Sequence, residues 1–164
     1  VAWKAALERA HGPCALLLSR QSIAPILHDE SSLAAMARGG YVHAEAAAPR
    51  AIVIATGSEV PLAREAQATL AAEGIAIRVV SMPAPSVFDR QDEAYRQPVL
   101  PPHLPCVAVE AGVTDGWHRY TGRGGIVIGI DRFGASAPAG EVYRELGVTA
   151  ERVVEAIRRL VRTR

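Results

Sequence analysis

Cysteine is scarce in this sequence, with two residues in 164, Cys14 and Cys106. Each lies in or beside an apolar, strand-like run, so reduced, buried thiols are expected in place of a disulfide framework, which fits a reducing, cytoplasmic compartment. Neither sign of charge is in excess. With 18 basic and 17 acidic residues and a net charge of +1, the chain carries no electrostatic footprint for nucleic acid. The late arginines, Arg158, Arg159, Arg162 and Arg164, fall on the polar face of an amphipathic pattern and read as a solvated surface. No apolar run approaches the roughly 20 residues that a bilayer-crossing helix needs, and no secretory leader opens the sequence, so neither a membrane nor nucleic acid is an expected partner. The histidines, His11, His28, His43, His103 and His118, are scattered, and none stands at metal-ligand spacing from another His, a Cys or a carboxylate, so no metal site is expected. Methionine is absent from position 1, and helix-like sequence begins at Val1 with no capping residue ahead of it. The reading frame is therefore expected to continue upstream.

What is present is organised around Ala51 to Pro83, which reads as a complete strand, helix and strand. Ala51 to Thr56 is a short, continuously apolar run closed by Gly57, as a parallel strand buried on both faces requires. Ser58 offers an N-cap oxygen, Pro61 falls in the first turn, and helix formers continue to Glu73 with Leu62, Ala66 and Leu70 on one face. Gly74 is the stop, and Ile75 to Val80 is a second β-branched run. A connection of this length makes the two strands parallel with a right-handed crossover.

The rest of the chain extends that α/β pattern. A hydrophobic content of 49% is enough for one good-sized core plus an appendage. Val1 to Ala10 is expected as a helix with Ala2, Ala5, Ala6 and Arg9 on one side, ended by Gly12-Pro13 and followed by a strand at Cys14 to Leu18. One helix and one strand cannot bury their own apolar faces, so residues 1–21 read as the tail of a preceding α/β domain. Residues 22–40 read as a linker with a helical turn near Leu33 to Ala37, and residues 41–164 as the main domain. In that domain Tyr41-Val42-His43 is a candidate edge strand, and Pro83 and Pro85 are expected to break structure. One or two short helices follow between Val87 and Leu100, then a buried strand at Val107 to Glu110. A helix capped by Thr114 or Asp115 runs through Tyr120, and a strand at Ile126 to Ile130 follows. The last helices are Pro138 to Leu146 and Ala150 to Val161; in the second, Val153, Val154, Ile157, Leu160 and Val161 form an apolar stripe. The expected fold is a three-layer α/β arrangement, a mostly parallel sheet with helices on both faces.

Thr56, Ser81, Glu110 and Asp131 stand at the carboxyl ends of the four main strands, the edge at which open α/β sheets place ligands. Glu110, a carboxylate ending a buried strand, must be paired, hydrogen-bonded or shifted in pKa; an anchor for the next loop is the favoured reading. Gly122 to Gly125 and Thr56-Gly57-Ser58 can offer backbone N–H groups to an anion, but neither matches a phosphate-loop or dinucleotide fingerprint, and ordinary turns are favoured. Trp117 and Tyr120, three apart on a helix, read as a packing patch, or as a subunit contact if exposed. Arg20, just past the carboxyl end of the Cys14 to Leu18 run, can hold a phosphate or carboxylate bidentately or make a surface ion pair.

Leu18-Ser19-Arg20-Gln21, Gly39-Gly40-Tyr41-Val42, Ala55 to Val60 and Arg78 to Pro83 together resemble transketolase. Phe88-Asp89 with Gln91, Tyr95-Arg96, Val99-Leu100-Pro101, Val109 to Gly112 with Trp117 and Tyr120, and Phe133-Gly134 with Ser136 to Ala139 keep that family's order and spacing. The resemblance covers essentially the whole chain and implies the end of a pyrimidine-binding domain plus the C-terminal domain. It implies a homodimeric enzyme that uses thiamine diphosphate and a divalent cation, Mg or Ca, to move a two-carbon ketol unit from a ketose phosphate to an aldose phosphate. The groups that hold cofactor and cation are implied to lie in the enzyme's N-terminal domains, outside this chain. Of the residues here, only Arg20 matches a substrate-binding position, the arginine that holds the sugar phosphate, so the chain alone is expected to be inactive. A deoxyxylulose-phosphate synthase, the β-type subunit of a 2-oxo-acid dehydrogenase, and a freestanding regulatory ligand-binding module are the competing readings.

Overall fold

The computed structural model describes residues 1–25 and 29–162. His28 and Arg164 lie outside the described residues. Five strands form one sheet: β1 (Tyr41–Ala44), β2 (Ala51–Ala55), β3 (Ile77–Ser81), β4 (Cys106–Val109) and β5 (Ile126–Ile128), in the order β1-β3-β2-β4-β5. β2 pairs in parallel with β3 on one side, Ala51 opposite Ile77, and with β4 on the other, Ile52 opposite Cys106. β4 pairs in parallel with β5, and only the edge strand β1 is antiparallel, along β3.

The central strand explains the layers. Every residue of β2 is buried, so both faces of the sheet must be covered. On one face, Ala51, Val53 and Ala55 pack with Val79, Val107 and the helices α3 (Val60–Ala72) and α8 (Ala150–Arg162). On the other, Ile52 and Ile54 meet Val80, Met82, Ala108 and the short helices α4 (Pro85–Phe88), α5 (Glu93–Val99) and α6 (His118–Thr121), which contribute Phe88, Val99 and Tyr120. α7 (Ala139–Leu146) precedes α8. The expected three-layer, mostly parallel α/β arrangement is what the chain adopts.

Several local expectations shift. The buried face of α3 is Val60, Ala63, Ala66 and Leu70, with Leu62 only partly covered; small residues at 63 and 66 let the helix axis approach the sheet. β3 begins two residues later than Ile75, because Gly74 and Ile75 close the helix against Ala71 and Leu70 carbonyls. Pro85 starts α4 instead of breaking structure, since the first helical turn needs no N–H there. Ser58 does not cap α3; its hydroxyl is taken by Glu59.

The N-terminal residues stand apart. α1 (Ala2–Glu8) buries none of its residues, and Cys14 to Leu18, expected as a strand, forms none and pairs with no strand among the described residues. Leu7 is 83% exposed and Leu17 91%. Cys14 is exposed, correcting the expectation of a buried thiol, because its run has no sheet to enter; Cys106 is buried, and burial pushes its thiol up to about 12. α2 (Glu30–Met36) is capped by Asp29, whose carboxylate accepts from the Ser32 amide at 2.7 Å and from the Ser31 and Ser32 hydroxyls. The chain then locks onto the main domain: Gly39 has φ of +90°, and a β-carbon there would lie 2.5 Å from the Ala84 carbonyl oxygen. The Arg38 guanidinium stacks 3.5 Å over the Tyr95 ring and donates to Gln91, while the Tyr95 hydroxyl donates to the Gly40 carbonyl at 2.8 Å.

Burial therefore divides the chain energetically. Ile157→Ala, in the layer between α8 and the sheet, is expected to lower the unfolding free energy by about 2–5 kcal/mol, and Leu17→Ala by less than about 0.5 kcal/mol, measured by urea unfolding of this chain.

Candidate functional site

The strand order reverses at β2: the chain moves from β2 through α3 to β3 on one side and then to β4 on the other. The crevice outside the carboxyl ends of β2 and β4 is the place such sheets offer to ligands. Thr56 and a 3-10 turn over Gly57–Glu59 follow β2, and Glu110 follows β4.

Side chains of the chain itself converge there. Glu59 is 2% exposed, at the start of α3. Its Oε1 accepts from the Tyr143 hydroxyl at 2.5 Å and from the Ser58 hydroxyl at 2.8 Å. Tyr143, on α7, in turn accepts at 3.0 Å from the side-chain amide of Gln21, which belongs to the N-terminal segment. Glu110 faces Glu59 across the crevice, and its Oε2 is buried without a hydrogen-bond partner. Desolvation by burial, reinforced by the negative charge of Glu59, pushes Glu110 up to about 8, so its carboxyl is mostly protonated at neutral pH. The Tyr143 hydroxyl is also raised, first by burial and then by its bond to Glu59.

The helix N-terminus that follows Ser58 is thus filled by a buried carboxylate, which disfavours an anion at Thr56-Gly57-Ser58. Of the four strand-end candidates, the structure brings Thr56 and Glu110 to the same crevice. Ser81 is buried at the end of β3, opposite Tyr41 of the edge strand. Asp131 lies three residues beyond β5 and staples a loop, accepting from the Thr114 amide at 2.9 Å and hydroxyl at 2.8 Å, bonds that hold its carboxyl below the usual range. Those bonds also explain why Thr114 caps no helix. Gly122 and Gly125 close a turn on the His118 and Gly122 carbonyls. Trp117 is buried and packs beside Tyr120, whose hydroxyl donates to Asp89 at 2.7 Å, so the pair is a packing patch. Among the described residues, no three His, Cys, Asp or Glu side chains gather as a metal site.

Arg20 is exposed, in a bend of the N-terminal segment. Its neighbour Gln21 is anchored to Tyr143, and the Ser19 hydroxyl lies 3.5 Å from where a β-carbon on Gly57 would stand. Reading by sequence pointed to Glu110 but missed Glu59 and Tyr143. The available signal was an acid in the first turn after a doubly buried strand, a position the topology turns inward.

The family model described as "Transketolase-like TK C-terminal domain" matches residues 39–149. Transketolase 2 of Aliivibrio fischeri is 51% identical over 163 residues, covering 98% of this chain and 25% of that protein. Among solved structures, a transketolase from Leishmania mexicana superposes with a TM-score of 0.90 at 41% identity, over 99% of this chain and 23% of that one. A transketolase from Pichia stipitis in complex with sedoheptulose-7-phosphate superposes with a TM-score of 0.89 at 38% identity, with the same coverage. The chain thus spans about a quarter of the length of its curated relatives.

The raised Glu110 carboxyl gives stability a pH dependence. The folded chain keeps on Glu110 a proton that the unfolded chain releases above its ordinary value of 4.5, so this contribution is fully present below about pH 4.5 and is lost as pH rises through about 8. Wild-type unfolding free energy is expected to fall by about 1–3 kcal/mol relative to Glu110→Gln between pH 5 and pH 8.5, allowing for solvent screening at this half-buried position. Urea unfolding of both chains across that range checks it; parallel curves would refute the raised Glu110 carboxyl.

Proposed function

Because the chain belongs to the transketolase family, we propose that it forms the C-terminal quarter of an enzyme that transfers a two-carbon ketol unit from a ketose phosphate to an aldose phosphate. The observation that carries this reading is the 51% identity to a transketolase over nearly the whole chain, the Ser19-Arg20-Gln21 segment included in that span. In this reading residues 1–21 end the pyrimidine-binding domain, 22–40 link it, and 41–164 form the C-terminal domain. The unburied apolar side chains of Trp3, Leu7, Leu17 and Leu18 support the first boundary, since a preceding domain with its own sheet would cover them. The enzyme works as a homodimer in the cytoplasm, with thiamine diphosphate and a divalent cation as its cofactors.

The described residues do not fit that cofactor: they offer no metal-ligand cluster, and the one carboxyl pair is consumed internally. No step of the chemistry is assigned to them, and the isolated chain is inactive. What this chain supplies is a cation for the substrate's phosphate. The planar fork of Arg20 matches two phosphate oxygens and fixes the sugar at its far end, away from the reacting carbons. A freestanding regulatory module finds no support, because the crevice it would use is filled by Glu59, Glu110 and Tyr143.

In the complete enzyme, Arg20→Ala is expected to raise KM for phosphorylated sugars about ten- to a hundredfold, the loss of a charge-assisted pair, and to leave unphosphorylated sugars within about twofold. Steady-state kinetics with matched pairs of sugars checks it; equal losses for both would refute the phosphate role.

A further inference from the structure

Among the described residues, the hydrogen bonds at the switch-point crevice reach the N-terminal segment through Tyr143 to Gln21, the residue after Arg20. Each partner has a stated support. Tyr143 packs against the core of α3 and α8, and its hydroxyl is fixed from below by Glu59. Glu59 is held by burial and by the Ser58 hydroxyl, which donates to it at 2.8 Å. Gln21 therefore meets a hydroxyl whose single proton is already committed to a carboxylate, so the hydroxyl can only accept, and the Gln21 amide must present its N–H side. On the other flank of Arg20, the exposed Ser19 has its hydroxyl near Gly57 of the same crevice. Arg20 is exposed next to Gln21, which is half-buried and bonded to Tyr143.

We propose that Tyr143 and Gln21 are positioning residues for Arg20: the C-terminal domain uses the Glu59–Tyr143–Gln21 chain of hydrogen bonds to hold the segment that carries the phosphate-binding guanidinium. The proposal rests on the reading of Arg20 as a phosphate ligand. It gives the domain a duty in substrate specificity that requires none of its own residues to touch substrate. A long side chain on an untethered segment would have to be ordered at each binding event, and the tether removes part of that entropic cost in advance.

The test is a set of variants in the complete enzyme. Tyr143→Phe keeps the ring and its packing and deletes the hydroxyl; Gln21→Ala deletes the donor without touching the domain core. Each is expected to raise KM for phosphorylated sugars on the order of fivefold, the worth of one partly buried hydrogen bond, with kcat and the constants for unphosphorylated sugars within twofold. The double variant is expected to be no worse than either single one, and neither substitution should add to Arg20→Ala. In this chain alone, Tyr143→Phe is expected to speed tryptic cleavage after Arg20 on the order of fivefold, with cleavage after Arg9 unchanged as the internal control. If Arg20→Ala is selective for phosphorylated sugars while both tether variants behave as wild type, the tether is wrong and the phosphate role stands. If Tyr143→Phe frees the Arg20 bond to trypsin but Arg20→Ala is unselective, the tether stands and the phosphate role is wrong. Equal losses for both kinds of sugar in the tether variants, or additive effects in the double variant, would also overturn the proposal.

Discussion

The structure depends on one constraint, the burial of β2 on both faces. A strand of Ala51 to Ala55 with no exposed residue can exist only at the middle of a sheet that is covered above and below. That requirement sets α3 and α8 on one side and α4 to α6 on the other. It also fixes where the strand order reverses, and so where a crevice opens. Burial there desolvates the Glu110 carboxyl and, beside Glu59, raises its pKa, so its proton follows from the fold. The network of Ser58, Tyr143 and Gln21 follows from the need to satisfy the buried Glu59.

Open α/β sheets use this location for ligands, yet here it is occupied by the chain's own hydrogen bonds. The crevice works as a joint: it ties an N-terminal segment that contributes nothing to the core to a domain that carries no metal-ligand cluster among its described residues. The second tie lies just before β1, where Arg38 stacks on Tyr95 and Gly39 presses against α4. These two ties account for family motifs with no chemistry of their own, Gly39-Gly40-Tyr41, Gln91 and Tyr95 at one and Gly57-Ser58-Glu59 at the other.

Much of this was legible in the sequence where one physical effect dominates. The β2, α3 and β3 unit could be read because doubly buried strands, a proline in a first turn and a glycine stop all act locally. The edge strand β1 and the stripe on α8 were legible for the same reason. Glu110 could be singled out because a carboxylate ending a buried strand must be unusual in some way. Misreadings came where tertiary partners override local chemistry. Ser58 has the composition of a cap, but a buried Glu59 next to it takes its proton. Thr114 likewise gives its hydroxyl to Asp131, seventeen residues away in sequence. Cys14 reads as buried because its neighbours are apolar, and it is exposed because its run pairs with no strand among the described residues. Tyr143 was invisible as a functional residue because its partners, Glu59 and Gln21, are 84 and 122 residues distant.

The central claim is that burial at the switch-point crevice, beside the Glu59 carboxyl, keeps a proton on Glu110. Carbon-13 NMR of side-chain carboxyls through a pH titration of this chain observes that proton directly. The account predicts one glutamate carboxyl that titrates well above the ordinary range, near pH 8, and whose signal is lost in Glu110→Gln. Every glutamate carboxyl titrating near its ordinary value of 4.5 would contradict it.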